Sequence, residues 1–227
     1  TSQVSVNAAA GFSIVTYTGT GSNATVGHGL SKAPNMSWIK PRNFADNWIV
    51  TYDAVDGSDD QAYLNTTNAG NSPAAQYTVS QNATTLGLTS WNNVNDANDT
   101  YVAYCFHNVD GYLKVGKYIG NNNANGTFVH LGFKAKFILI KEIVTGTGNG
   151  EWQIFDTARS TTNVVDDLIA ASTSGAESVG NTYQMLDILS NGFKLRSAYG
   201  TSSQINYTTT YIYLAFAENP FKHSNAR

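Results

Sequence analysis

Phe137-Ile138-Leu139-Ile140-Lys141 is apolar on both faces of an extended chain, and Met36-Ser37-Trp38-Ile39-Lys40 stands as its earlier counterpart. The likeness spreads outward from these two stretches. Upstream, Val26-Gly27-His28-Gly29-Leu30 answers Phe128-Val129-His130-Leu131-Gly132, and Tyr17-Thr18-Gly19 answers Tyr118-Ile119-Gly120. Downstream, Asn47-Trp48-Ile49-Val50 answers Glu151-Trp152-Gln153-Ile154, each leading to an Asp. The copies close alike, on Thr100-Tyr101-Val102-Ala103-Tyr104-Cys105-Phe106 and Thr210-Tyr211-Ile212-Tyr213-Leu214-Ala215-Phe216. Matches kept in one order along the chain are the signature of an internal repeat.

The segments are short, rich in Val, Ile, Thr, Tyr, Phe and Trp, and bounded by Gly, Asn, Asp or Pro, which reads as strand. A segment apolar on both faces, such as 137–140, suits a central strand covered on each side. Turn chemistry is explicit at Gly19-Thr20-Gly21, Asn121-Asn122-Asn123 and Asn191-Gly192. Thr161–Ala171 is the one stretch open to a helical reading, and strand or loop is preferred for it. The expected class is all-β: two tandem antiparallel β-sandwich, jelly-roll-like repeats packed as one rigid unit, or one pseudo-symmetric sandwich. The repeats divide at 1–108 and 109–227, with no Pro- or Ser-rich linker between them.

Composition narrows the function. Charged residues make up 13% of the 227 and the formal net charge is −3, so nothing electrostatic favours nucleic acid. No apolar run approaches the ~18 residues of a membrane span, so membrane insertion is not expected. With a single cysteine, Cys105, the chain has no internal disulfide, and its aromatic, β-branched surroundings describe a buried strand thiol. The four histidines include His28 and His130, at similar places in the two copies, and a duplicated His before a Leu reads as a turn cap. No nucleophile elbow, zinc spacing or nucleotide motif is present. Asp53, Asp96, Asp99, Asp156, Asp166 and Asp187 are scattered acids with no evident pair for glycoside cleavage. Asp56, Asp59 and Asp60 form a weak calcium candidate, since the loop lacks the alternation and distal Glu of an EF-hand. No catalytic residue and no cofactor are expected.

Binding is the more natural use of these residues. Four tryptophans and thirteen tyrosines, with Asn, Asp and Gly in loops, are the materials of sugar recognition, by ring stacking and hydroxyl hydrogen bonds. Trp48 and Trp152 recur and read as shared core. Trp91 lies in the polar run Thr89-Ser90-Trp91-Asn92-Asn93-Val94-Asn95-Asp96, without a clear mate in the second copy. Trp91, Asn92, Asn93 and Asp96 are therefore the candidate ligand-binding residues.

Tyr17-Thr18-Gly19 with the run from Val26 to Met36 resembles a module of tail-fibre and other virion-surface proteins of bacteriophages, especially marine ones. Asp99–Phe106 and Tyr211–Lys222 are similar to the closing strands of that module, so the resemblance spans both copies. The second copy departs from the pattern, with Ala135-Lys136 in place of Pro34-Asn35 and Leu131-Gly132 in place of Gly29-Leu30. That leaves one copy to bind and the other to support. The resemblance implies a non-enzymatic virion-surface component attaching to a host-surface glycan or other receptor, as a homo-oligomer or with other virion proteins. The alternatives are a purely structural tail, baseplate or capsid-decoration protein, or a polysaccharide depolymerase.

Overall fold

The computed structural model describes residues 2–53, 59–68, 79–143, 150–181, 185–197 and 205–219. It is all-β with antiparallel sheets and divides into two compact units. The first takes Thr1–Asn65 and Asn71–Val109, the second Thr66–Gly70 and Asp110–Arg227.

Unit 1 holds β1 (Ser2–Asn7), β2 (Phe12–Thr18), β3 (Ala24–Gly27), β4 (Met36–Pro41), β5 (Ile49–Asp53), β6 (Asp59–Tyr63), β7 (Ser80–Gln81), β8 (Thr85–Leu88), the single-turn α1 (Asn92–Asn95) and β9 (Thr100–Phe106). A six-stranded sheet runs β1-β2-β9-β4-β5-β6, and a three-stranded sheet runs β3-β8-β7. Unit 2 holds β10 (Leu113–Ile119), β11 (Phe128–His130), β12 (Ala135–Glu142), β13 (Trp152–Asp156), β14 (Ile169–Ala170), β15 (Leu186–Leu189), β16 (Gly192–Leu195) and β17 (Thr210–Ala217). Its sheets run β10-β17-β12-β13-β14 and β11-β16-β15. Strand for strand the second order is the first without β1. The duplication read in the sequence is thus present in the topology, and β1 is an addition peculiar to unit 1.

Register makes the equivalence residue by residue. Tyr17 faces Tyr101 across β2–β9, as Tyr118 faces Tyr211 across β10–β17. Cys105 faces Ser37 where Ala215 faces Ile138. In β2, burial alternates along the strand, so Ser13, Val15 and Tyr17 line the core and Phe12, Ile14 and Thr16 the opposite face. β12 sits between β17 and β13 with its final five residues all buried, the central strand its apolar composition predicts. Thr161–Ala171 carries only the two-residue β14 and isolated bridges, not a helix.

Each unit has its own core drawn from both of its sheets. Val15, Ile39, Ile49 and Ala103 of the large sheet of unit 1 meet Val26, Leu86 and Leu88 of the small one. In unit 2, Ile138, Ile140, Phe155 and Tyr213 meet Val129, Leu186, Ile188 and Phe193. Burying such side chains contributes roughly 1.5–3 kcal/mol each, which is the main force holding the layers together.

Candidate functional site

The end of unit 1 that carries α1 is built around two tyrosines. Tyr17 and Tyr101 stack with centroids 5.2 Å apart and planes 15° from parallel. The Tyr17 hydroxyl donates to the carbonyl of Val94 at 2.7 Å. The Tyr101 hydroxyl accepts from the N–H of Asp96 at 2.8 Å and donates to the carbonyl of Asn92 at 2.5 Å. Both phenols are thus spent on fixing the 92–96 backbone. Burial pushes the Tyr17 ionisation well above its ordinary value, with the neighbouring Tyr101 adding to the effect, so these groups stay neutral donors.

Asn95 completes the fixing. Its Oδ1 accepts from the N–H of Thr20 at 2.9 Å, its Nδ2 donates to the carbonyl of Ser22 at 2.6 Å, and its own carbonyl accepts from the N–H of Gly21 at 2.9 Å. Gly19 must be glycine, because a Cβ there would lie 2.0 Å from the carbonyl oxygen of Asp96. Unit 2 repeats the device. Tyr118 and Tyr211 stack at 4.9 Å, Tyr118 donates to the carbonyl of Ile205 at 2.7 Å, and Asn206 Oδ1 accepts from Asn121 N–H at 3.0 Å. A Cβ on Gly120 would lie 2.0 Å from the carbonyl oxygen of Tyr207. The Trp91 loop therefore does have a mate in the second copy, at Ile205-Asn206-Tyr207. The sequence hides it because Val94-Asn95-Asp96 and Ile205-Asn206-Tyr207 share only the Asn and an aliphatic before it.

The nominated residues fall on this framework as follows. Trp91 precedes α1 as its N-cap and is 36% exposed. Its carbonyl accepts from the N–H groups of Val94 and Asn95. Asn92 and Asp96 are exposed and Asn93 is buried. The Asp96 carboxylate accepts from Ala97 N–H at 2.8 Å. None of these four lines the cavity of about 190 Å³ that Asn95 borders; its wall mixes the polar Ser2, Thr18, Thr20, Thr25 and Asn95 with Tyr17 and the apolar Ala24, Val26 and Leu88. Its volume is below the ~300–1,000 Å³ of drug-sized sites and suits a single sugar ring.

The remaining polar candidates are engaged elsewhere. Buried His28 accepts from Leu30 N–H at Nδ1 (3.1 Å), so its Nε2 carries the proton and donates to the carbonyl of Asn82 at 3.0 Å, a turn cap. Its pairing with His130 is corrected by register: Val26 faces Leu86 as Val129 faces Phe193, so Gly27 matches His130 and the counterpart of His28 is Leu131. Trp152 is fully buried with Lys141 Nζ 5.4 Å from its ring centre, whereas Trp48 is only partly buried and packs on Tyr104 at 6.0 Å. The Cys105 thiol is pushed up to about 12 by burial, with Ser13 offsetting part of it. Asp156 is bound by the N–H groups of Ala158 and Arg159 and by the Arg159 guanidinium at 2.6 Å. Burial opposes its ionisation, but these bonds win and hold it below the usual carboxylate range, which is the wrong direction for a general acid. Asp56 lies outside the described residues. Asp60 is buried on β6, and among the described residues no three His, Cys, Asp or Glu side chains gather as metal ligands would.

A family model extends over residues 1–220, through both copies of the repeat. The chain belongs to the DUF7483 family. DUF7483 is described as a domain of unknown function, so membership assigns no activity. No curated protein and no solved structure matches this DUF7483 chain.

Proposed function

We propose that the chain is a non-enzymatic component of a bacteriophage virion surface, such as a tail fibre, that attaches to a host-surface glycan. Each unit is, in this reading, a two-layer antiparallel β-sandwich, and recognition belongs to the α1 end of unit 1. The observation that supports it is the mounting of Trp91: an exposed residue on a backbone locked by Asn95, Tyr17 and Tyr101, of which Asn95 and Tyr17 also border a cavity with polar and apolar walls. A pre-ordered aromatic face loses little entropy on binding a pyranose, and the nearby hydroxyls supply hydrogen bonds. Individual contacts of this kind are weak, and an oligomeric virion part gains avidity by presenting several together. A host-glycan array tests it, with reducing-end release from any polysaccharide hit as a control. Binding without release is expected; release of reducing ends makes the chain a depolymerase instead.

A structural virion role is the second reading, favoured by β1. All six of its residues are exposed, none is charged, and Val4 and Val6 are 42% and 46% exposed. An edge strand without charge, proline or bulge lacks the usual protections against pairing with another chain. If β1 builds subunit contacts, Val4→Lys converts an oligomer to monomer in analytical ultracentrifugation; an unchanged sedimentation coefficient removes the support for this reading.

A further inference from the structure

Arg42 follows β4 and stands over a second groove, on the face of β2 opposite the core. The groove is about 140 Å³ and is lined by Gln3, Thr16, Tyr17, Thr18, Thr100 and Arg42. The register assembles it: Gln3 faces Thr16 on one side, Thr18 faces Thr100 on the other, and Arg42 N–H donates to the carbonyl of Thr100 at 2.7 Å. Tyr17 and Thr18 also line the first cavity, so the two sites adjoin.

The Arg42 side chain is exposed, and among the described residues no carboxylate forms a salt bridge with it. Asp99, the acid next to Thr100, is bonded instead by Asn43 Nδ2 at 2.7 Å. Unit 2 shows that the fold needs no cation at this position. There Ile143 makes the equivalent backbone bond, donating to the carbonyl of Thr210 at 3.1 Å, and its apolar side chain is buried. Register likewise replaces Thr16 and Thr18 by Lys117 and Ile119. The guanidinium with the hydroxyls of Thr16 and Thr18 is thus a property of unit 1 alone.

We infer that this groove is a subsite for an acidic sugar, with Arg42 pairing the carboxylate of a uronic acid residue. The planar guanidinium fork matches a carboxylate, and the hydroxyls of Thr16 and Thr18 with the Gln3 amide match ring hydroxyls, while Thr100 Oγ1, which donates to Asn43 Oδ1 at 3.3 Å, keeps only acceptor capacity. The inference rests on the glycan-attachment reading and names the class of glycan.

The test is titration of the ¹⁵N-labelled protein with glucuronate, glucose and acetate, read at the amides of Thr18, Arg42 and Thr100. Glucuronate is expected to give saturable shifts, with glucose and acetate each weaker by about tenfold or more. Arg42→Gln is expected to weaken glucuronate about tenfold with unchanged melting temperature, and Arg42→Lys to recover part of the loss. Glucose or acetate binding as well as glucuronate overturns the subsite, as does an Arg42→Gln protein that titrates like wild type. The attachment reading fails separately: host glycans are then not bound while glucuronate still titrates the groove. Conversely, host-glycan binding undiminished by Arg42→Gln overturns the subsite and leaves attachment standing.

Discussion

Asn95 and Asn206 each tie a turn to the strand end beside it, and their amides, themselves buried, are satisfied by backbone groups of that turn. Removing either loses two or more side-chain hydrogen bonds and leaves a hole in a buried position, at roughly 2–3 kcal/mol in total. Asn95→Ala and Asn206→Ala should therefore both lower the denaturation midpoint, while exposed Asn23→Ala does not; equal behaviour of the three would show that the locks contribute nothing. Lys141 gives a pH-dependent counterpart. It is fully buried on β12, donates to the carbonyl of Gly150, and burial lowers its pKa from 10.5 to about 8, against the pull of Glu142 and Glu151. From pH 8 upward the folded protein gives up this proton while the unfolded chain keeps it to about 10.5, so the group makes stability rise with pH across that window. Cys105, raised by burial from its ordinary 9.0, and the buried tyrosines, above 10.0, act oppositely, but they are common to wild type and a Lys141 variant and cancel in the difference between them. Urea unfolding of wild type and Lys141→Met should show the gap moving in favour of wild type over the same window, and a pH-independent gap would contradict the account.

Across the large sheet of unit 1, Cys105, Ser37, Thr51 and Gln61 fall in one register row, all buried. Ser37 Oγ, Thr51 Oγ1 and Gln61 Oε1 find no hydrogen-bond partner among the described residues. The corresponding row of unit 2 is Ala215, Ile138 and Phe155, an ordinary apolar stripe. A buried hydroxyl without a partner costs more than the methyl that would replace it, so Thr51→Val should stabilise the protein by about 1 kcal/mol in urea unfolding. A loss of stability would mean that the hydroxyl is satisfied after all. This element scale is also where the sequence was most and least legible. β12 and its counterpart β4 announced themselves, because β-branched and aromatic residues bounded by turn residues have few other uses. The single turn α1 did not, since Asn92-Asn93-Val94-Asn95 are poor helix formers and the turn is held by tertiary bonds to Tyr17 and Tyr101. The His28 and His130 offset escaped because residue types align in a string while register follows the strand partner. The polar run around Trp91 marks a loop in the sequence itself, but the Arg42 groove exists only once β1, β2, β9 and the end of β4 lie side by side.

At the scale of the whole molecule, duplication separates what the fold requires from what one unit has added. Shared features (the tyrosine stacks, the Asn locks, Gly19 and Gly120) are scaffold. Trp91, Arg42 and β1 belong to unit 1 alone, and Arg42 and β1 border the two cavities there. An attachment surface confined to one copy is the pattern expected when a repeated unit keeps its fold and only one copy carries the ligand. The most direct test is the affinity of the protein for its best host-surface glycan, measured for wild type, Trp91→Ala and Phe128→Ala. Phe128 is 44% exposed in unit 2 and serves as the matched aromatic control. Loss of stacking at Trp91 should weaken binding about tenfold or more, with Phe128→Ala unchanged. Undiminished binding by Trp91→Ala, or an equal loss from Phe128→Ala, would contradict the assignment of recognition to unit 1.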